Sequence, residues 1–438
     1  MGEISMAKTC KFILEYKEVV GNINLNFDNC NPPKHTMKRF VRLLKEIDDV
    51  RVEKMTDYPL EEIIVIAFLA VLGNANGWKD IANFGKEKEK WLRKFLKLEY
   101  GIPSHDTFER VFSLINSREL EAVTVAFVSE NIDKIRKAMK TGKGLKRLIC
   151  VDGKEAKGTG RKYGTVEEIR NLQTLHVYDA SYGICLYSEL IDKKTNEIPV
   201  AQRILETIEL KDAIVTFDAL NTQKKTISTI INQKGSYVGA LKGNHEIFES
   251  EVVDLFSEDV KKNIKEKGKN YYKTSEKSHN KVETRRFYLS TDVKWFADLK
   301  DWAKLKSFIC YEKTSFDIVT KKESKEVRHY ISNLTDVELC ADAIRGHWGV
   351  ENLLHWHLDA NFREDDNSTM NKTAFNNLSI INKMVLSLMK LAQPIIGKFS
   401  IRSLRKKFAW GTENNIAKVL NAFDDETLIE AISNANQK

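Results

Sequence analysis

The sequence predicts an α/β protein with a mixed β-sheet, which follows a helical domain and contains a β-rich insertion. Three observations favour this fold class. Residues 60–72 are almost wholly apolar, and residues 104–115 carry apolar side chains at helical spacing. From residue 148 onwards, short apolar runs alternate with turns and helical patterns, which is typical of α/β domains. A lysine-rich stretch over residues 261–281 then precedes a second group of strand-like runs.

The domain boundaries follow these changes of pattern. Gly142 and Gly144 mark a linker between the helical and α/β regions, and the helical pattern returns at Asp336. We therefore predict an N-terminal arm (residues 1–50), a helical domain (51–140), an α/β domain (147–242 and 336–395), a β-rich insertion (243–335) and a basic helical tail (396–438).

Composition and charge narrow the class of protein. Of the 438 residues, 42% are hydrophobic and 30% charged, which is typical of soluble globular proteins. The longest apolar run, residues 63–72, is too short to span a bilayer, and the first residues lack a signal-peptide core, so we expect a cytoplasmic protein. The six cysteines form no CxxC pair, which disfavours structural zinc and favours buried reduced thiols. The net charge of +8 is compatible with a polyanionic partner.

Two aspartates follow buried strand-like runs. Asp152 comes after RLICV, and Asp218 comes after AIVTF. The carboxyl ends of strands are where α/β sheets place ligands, and a buried carboxylate needs a compensating partner such as a divalent cation. Each aspartate alone is equally consistent with a turn residue or a helix cap. Two on one predicted sheet favour a site.

A third acidic residue, Glu351, lies in a helical pattern with His347 and His355 on the same face, at i, i+4 and i+8. Spacing alone favours a packing helix whose Trp348, Leu354, Trp356 and Leu358 are buried while Glu351 is exposed. A histidine metal site at His355 and His357 is disfavoured, because residues two apart do not share a helix face.

Three carboxylates taken together predict hard oxygen ligands for Mg²⁺ or Mn²⁺. Two such ions can clamp the attacking and leaving oxygens of an in-line phosphoryl displacement. Histidine or cysteine ligands would indicate zinc instead.

Several longer motifs resemble those of the ISAs-type insertion-sequence transposases, including the H-repeat-associated proteins. These belong to the DDE superfamily, whose catalytic domain has an RNase H-like fold. The matching stretches occur in the family's order over about residues 55–390, and HWGVEN followed by LHWHLDANFREDD is the most specific. The others are DYPLEEIIVIAFLAVLGNANGWKDIANFG, IPSHDTFERVF, VDGK, TFDALNTQK, YVGALKGNH and ETRRFY.

The resemblance implies a catalytic, metal-binding triad of Asp152, Asp218 and Glu351, with two Mg²⁺ or Mn²⁺ ions per site. It implies cleavage at insertion-element ends and strand transfer into target DNA, by a homodimer on paired ends associated with a bacterial-type nucleoid. Wider relatives carry a Tyr, Arg, Glu, Lys signature around the glutamate. Here Ile344, His347 and Leu358 stand at the other three positions, so roles of that Tyr, Arg and Lys do not transfer.

Basic segments are candidate contacts for double-stranded DNA, with solvated helix faces as the alternative explanation. They include the lysines that begin at Lys261 and Lys262, and residues 401–407 among aromatic side chains. Trp348 or Trp356 could stack on a flipped base, although packing is favoured for both. The predicted DNA contacts are Lys154, Lys242, Arg285, Arg286, His347, Trp348, Asn352, Arg402, Arg405 and Lys406, with Lys157 as a further phosphate contact.

Three other functions are weighed against transposition. A metal-dependent nuclease that cuts without joining would use the same triad. A catalytically silent DNA-binding relative would keep the fold, but all three acidic residues are present here. A glycosidase built on two carboxylates has no sugar-specific feature in its favour.

Overall fold

The computed structural model describes residues 34–52, 56–138, 147–163, 166–169, 171–191, 196–278, 280–396, 399–411 and 413–421. Most of the predicted N-terminal arm, the linker at 140–146 and the end of the predicted tail lie outside the described residues. So do Cys10 and Cys30. Of the other cysteines, Cys150, Cys185, Cys310 and Cys340 are buried thiols, as predicted.

The region before residue 139 is helical. Its helices are Lys34–Leu44 (α1), Leu60–Leu72 (α2), Trp78–Leu92 (α3), His105–Phe112 (α4) and Ser117–Ala138 (α5). Helix α2 has the predicted bounds and is buried along almost its whole length, because its apolar residues face neighbours on all sides. Pro59 holds the N-cap position of α2 without a side-chain hydrogen bond. Ser104 caps α4 by accepting a hydrogen bond from the Thr107 amide, as its sequence predicts.

The α/β region begins at residue 147. Its elements are Arg147–Ala156 (β1), Arg161–Tyr163 (β2), Val166–Ile169 (β3), Leu172–Asp179 (β4), Ile184–Ile191 (β5), Glu197–Thr207 (α6), Ala213–Phe217 (β6), Lys224–Asn232 (α7) and Ser236–Leu241 (β7). Strands β2 and β3 form a separate pair. The apolar runs predicted as strands are all strands, because each alternates or fills two buried faces of one sheet.

The central part of the main sheet has the order β5-β4-β1-β6-β7. Strand β4 pairs antiparallel with both β1 and β5, whereas β6 pairs parallel with β1 and β7 pairs parallel with β6. The connections from β5 to β6 and from β6 to β7 contain α6 and α7, as parallel crossovers require. This mixed arrangement is the RNase H-like fold that the resemblance implies.

The segment that the sequence assigns to an insertion continues the same sheet. It contains Glu246–Leu255 (α8), Glu258–Lys267 (α9), Tyr271–Ser278 (β8), Lys281–Ser290 (β9), Ser307–Asp317 (β10) and Glu323–Ser332 (β11). Strand β11 pairs antiparallel with β7, and β10, β9 and β8 follow outwards. The sheet therefore has nine strands within the described residues. The lysine-rich stretch forms most of α9 and strand β8.

Helices return after the insertion. They are Val337–His347 (α10), a π-helix at Val350–His355, Trp356–Ala360 (α11), Lys372–Ile396 (α12), Ile401–Trp410 (α13) and Glu413–Asn421 (α14). Helix α12 packs on β5 and on α5 and α2, so it joins the sheet to the helical region. One hydrophobic core cluster extends through both regions. Among the described residues, no helix is long and apolar enough to cross a membrane.

Candidate active site

Asp152 and Asp218 lie side by side at one edge of the parallel strand pair β1 and β6. Val151 of β1 stands opposite Phe217 of β6, so the residues that follow them, Asp152 and Asp218, come at the same level. Neighbouring strands are about 4.8 Å apart. The sequence places Asp152 at the end of its strand, but β1 runs on to Ala156, paired there only with β4. The pairing with β6 is what ends at the aspartates.

Glu351 is carried over this edge by the π-helix Val350–His355, which packs against β1. Helix α10, just before it, packs on both β1 and β6. Val350 and Leu354 are buried, whereas Glu351 is exposed. This segment therefore packs through Val350 and Leu354, as its helical spacing predicts, and also presents Glu351 on its exposed side, as the resemblance predicts. A π-helical turn, which is wider than an α-helical turn, is often found at functional sites. No pattern in the sequence predicted it.

The electrostatics of Asp152 connect the acidic residues. Burial raises the pKa of Asp152 to about 7, and the charges of Asp218, Glu197 and Glu351 add to the shift. A carboxylate surrounded by others resists ionisation because like charges repel in a poorly solvated site. Asp218 and Glu351 thus lie within electrostatic reach of Asp152, as a shared site requires.

Glu197 is a fourth acidic residue in this cluster, and the sequence did not single it out. It is the first residue of α6, after the N-cap Asn196. Its carboxylate lies against the Cα of Gly153, where an added Cβ would be only 2.9 Å from Glu197 Cδ. Asn-Glu at a helix start is the ordinary signature of an N-terminus, so nothing local distinguishes this residue.

Neutral histidines line the other side of Asp152. His355 Nδ1 is 3.9 Å from Asp152 Oδ2, and His355 Nε2 is 3.1 Å from His176 Nδ1. Burial lowers the pKa of His355 to about 3 and that of His347 to about 4. His347 Nδ1 lies 3.0 Å from Thr216 Oγ1. The side chain of His357 contacts Asn361 instead, so His355 and His357 do not converge on one ion.

The donor atoms of this cluster fit a hard divalent cation. In the described part of the chain, no basic side chain forms an ion pair with Asp218, Glu197 or Glu351, and Asp152 has only the neutral His355. Such uncompensated carboxylates are what a cation neutralises. As arranged here, no three His, Cys, Asp or Glu side chains among the described residues are gathered closely enough to hold a metal ion. The carboxylate oxygens therefore suit a divalent cation in donor type and charge, but not in their present spacing.

Two family models match the chain. The model described as the transposase DDE domain matches residues 143–388, and the model described as DDE_Tnp_1-associated matches residues 41–128. The chain belongs to the DDE transposase family. The first match includes all three residues of the predicted triad, and the second covers most of the helical region.

Curated relatives carry corresponding names. The chain is 30% identical over 376 residues to "Putative transposase YncI" of Escherichia coli O157:H7, covering 84% of this chain and 90% of that one. It is 28% identical over 393 residues to "H repeat-associated putative transposase YhhI" of Escherichia coli strain K12, covering 88% and 98%. A short match, 32% over 77 residues and 18% of this chain, is to "Inactive transposase YbfQ" of the same strain.

Three of the predicted DNA contacts of this DDE transposase family member are buried and already paired. Lys154 Nζ is 2.7 Å from Asp359 Oδ1, and Arg285 pairs with Glu276 and Glu283. Arg405 is 1% exposed, and its guanidinium donates to main-chain carbonyls. Sequence gives the charge of these residues but not the partners, which come from distant segments. We do not assign the three to DNA.

The other predicted contacts differ in what they already touch. Lys242 and Arg402 are exposed, and Lys406 Nζ lies over the exposed Trp410 ring at 5.4 Å. Arg286 donates to Thr314, and Asn352 donates to the Trp348 carbonyl. Trp348 packs on Tyr311 and Arg328, as favoured, whereas Trp356 is 49% exposed. Lys157 is exposed and 3.9 Å from Asp365.

Proposed function

We propose that the protein is an active transposase that cuts DNA at insertion-element ends and joins the ends to target DNA. The observation that supports this proposal is that Asp152 and Asp218 follow paired positions on adjacent parallel strands, and that burial and the charges of Asp218 and Glu351 raise the pKa of Asp152. The two aspartates would hold Mg²⁺ or Mn²⁺ between them, with Glu351 as the third ligand. Such ions, when bound, lower the pKa of an attacking water or hydroxyl and stabilise charge on a transferring phosphoryl group.

The protein side chains around the carboxylates fix them in place. The Asn221 amide groups donate to Asp218 Oδ1, from the backbone at 3.0 Å and from the side chain at 3.1 Å. The helix–strand packing of α10 and the π-helix on β1 sets the position of Glu351 relative to both aspartates. Preorganised ligands of this kind lose little freedom when a cation binds, which favours binding.

Exposed basic residues would hold the DNA backbone. Lys242 follows β7, whose carboxyl end lies at the same edge of the sheet as Asp218. Arg402 and Lys406 on α13, with Trp410 beside them, would form a second contact. Phosphate contacts predict that affinity falls steeply as salt rises. We further propose that a homodimer on paired ends, associated with the nucleoid, is the working form.

The test uses the DNA that flanks the coding region as substrate, with Mg²⁺ or Mn²⁺. We expect Asp152→Asn, Asp218→Asn and Glu351→Gln each to lose cleavage by at least about 100-fold, with binding to the ends retained. Asp212→Asn is a matched control, because Asp212 is exposed just before β6 and far along the strand from the site. Cleavage by the Asp218→Asn protein at the wild-type rate would exclude the triad.

A nuclease that cuts without joining, and a silent DNA-binding relative, are the alternatives. Supplying pre-cut ends and a supercoiled target separates them, since only a transposase joins the two. Joined products support the proposal. Cleavage without joining would identify a nuclease, and binding without either would identify a silent relative.

A further inference from the structure

Glu197 lies inside the acidic cluster although its place in the chain is a helix start. Its carboxylate covers the Cα of Gly153, with Oε2 only 3.2 Å from where a Cβ would stand. Gly153 directly follows Asp152 on β1. The absence of a side chain at position 153 therefore leaves the space that Glu197 fills next to Asp152.

Asn221 ties Glu197 to the second aspartate. Its side-chain amide nitrogen is 3.1 Å from Asp218 Oδ1 and 3.5 Å from Glu197 Oε2. Asn221 is fully buried, and its Oδ1 atom has no hydrogen-bond partner among the described residues. One buried amide thus lies between the carboxylate that follows β6 and the carboxylate at the start of α6, and so offsets part of the repulsion between these two like charges.

The helix start alone does not account for this arrangement. A glutamate in the first turn of a helix is stabilised by the helix dipole, but it gains that stabilisation equally when pointing into solvent. Glu206, in the last turn of the same helix, is exposed to solvent. Glu197 instead points into a half-buried site where burial and Asp218 both raise its pKa. In the described part of the chain it forms no ion pair with a basic side chain.

We propose that Glu197 is a fourth carboxylate of the cation site and binds the divalent ion together with Asp152 and Asp218. The inference rests on the proposed function, since it assumes that the triad holds a cation. It goes beyond the triad because it assigns a cation ligand to α6, the helix that precedes β6 and Asp218. Glu197 adds an oxygen donor and a negative charge next to Asp152, in the space above the Cα of Gly153.

Cation binding to the full-length protein without DNA tests the assignment independently of activity. Mn²⁺ is titrated into metal-free protein at pH 8, well below the melting temperature, and free Mn²⁺ is quantified by electron paramagnetic resonance. We expect Glu197→Gln to weaken Mn²⁺ binding by about tenfold or more. This is the scale of losing one contributor to a metal site. Glu206→Gln is the matched control and should bind as the wild type does. Asp218→Asn reports on the triad itself.

The outcomes separate the two proposals. Weakened binding in both Glu197→Gln and Asp218→Asn supports the fourth carboxylate. Weakened binding in Asp218→Asn with wild-type affinity in Glu197→Gln overturns this inference and leaves the proposed function intact. Wild-type affinity in Asp218→Asn overturns the proposed function and the inference with it. A lower melting temperature of metal-free Glu197→Gln, with unchanged affinity, would make Glu197 a packing residue and also overturn the inference.

Discussion

Lys154 Nζ lies 2.7 Å from Asp359 Oδ1, across the gap between the strand and the helical segment that carry the acidic triad. Lys154 stands two residues after Asp152 on β1, and Asp359 is on α11, directly after the π-helix of Glu351. Glu364 and Asp365 are each 3.9 Å from the same nitrogen. The lysine therefore neutralises an acidic group beside the candidate site and links β1 to α11.

Replacing Lys154 with methionine should destabilise the protein. The lysine side chain is 8% exposed but its nearest partner, Asp359, is 36% exposed, so loss of the lysine should cost roughly 2 kcal/mol, between the values for exposed and fully buried ion pairs. Thermal unfolding measures the effect as a clear fall in Tm. Lys157→Met is the control, because Lys157 is 77% exposed and should change stability by no more than about 0.5 kcal/mol. Unchanged Tm with weakened DNA binding would instead restore Lys154 as a phosphate contact.

Burial of Asp152, together with repulsion from its acidic neighbours, should make an isosteric neutral variant more stable than the wild type. Because the pKa of Asp152 is raised from 3.8 to about 7, ionised Asp152 destabilises the metal-free fold above about pH 7, and this penalty shrinks as the pH falls towards 3.8. We expect Asp152→Asn to have the higher Tm at pH 8 in a chelator, with the difference narrowing at pH 5.5.

Asp212→Asn, at an exposed aspartate, should show no such difference. A lower Tm for Asp152→Asn at pH 8 would contradict the electrostatic explanation. Stability gained by losing a functional group is the usual trade-off at active sites.

The sequence predicted those features whose signals are local. The run Ala213–Phe217 is a strand with the predicted bounds, because five consecutive buried apolar residues suit a central strand. Asp152 and Asp218 could be paired in advance since parallel strands bring their carboxyl ends to one edge. Glu351 needed the resemblance, because a π-turn within a packing helix leaves no periodic signal.

Features that depend on distant segments were not predictable. Glu197 has the local signature of a helix start, and only the folded sheet places Gly153 beneath it. Arg405 lies in a basic run that suggests DNA, yet its partners come from residues more than 40 positions away. A charge pattern fixes which atoms need partners but not whether phosphate or protein provides them.

Arg405 should act on stability and Arg402 on DNA. The guanidinium of Arg405 donates to the carbonyls of Val71, Ala75 and Asn361 and is 4.1 Å from the Phe362 ring centroid. Arg405→Met removes the guanidinium that donates to all three buried carbonyls, so we expect a loss of about 3 kcal/mol in denaturant unfolding.

Arg402→Met is the paired variant, one helical turn away and exposed. It should unfold as the wild type does but bind DNA with a shallower dependence on salt, since one phosphate contact is gone. Equal salt slopes for Arg402→Met and wild type would remove α13 from the proposed DNA surface.

Glu121 should make stability depend on pH at the junction of the helical region and the sheet. Its Oε1 atom accepts hydrogen bonds from the Ser188 amide and hydroxyl, and Lys383 Nζ is 2.6 Å from Ser188 Oγ. Burial raises the pKa of Glu121 from 4.5 to about 7, although Lys383 and the Ser188 hydrogen bonds oppose the shift and Glu189 adds to it. The folded protein therefore binds a proton that the unfolded chain releases between these two values.

The sign follows from that difference in bound protons. Glu121 contributes most to stability below about pH 4.5, and this contribution is lost as the pH rises to about 7. The free energy of unfolding of wild type relative to Glu121→Gln should fall across this window by at most about 3 kcal/mol, since one pKa unit is worth about 1.4 kcal/mol. Denaturant unfolding at several pH values measures it, with the exposed Glu206→Gln as control. Parallel pH profiles for wild type and Glu121→Gln would show that Glu121 keeps an ordinary pKa in the fold. Lys383 would then hold it ionised as a buried ion pair through Ser188.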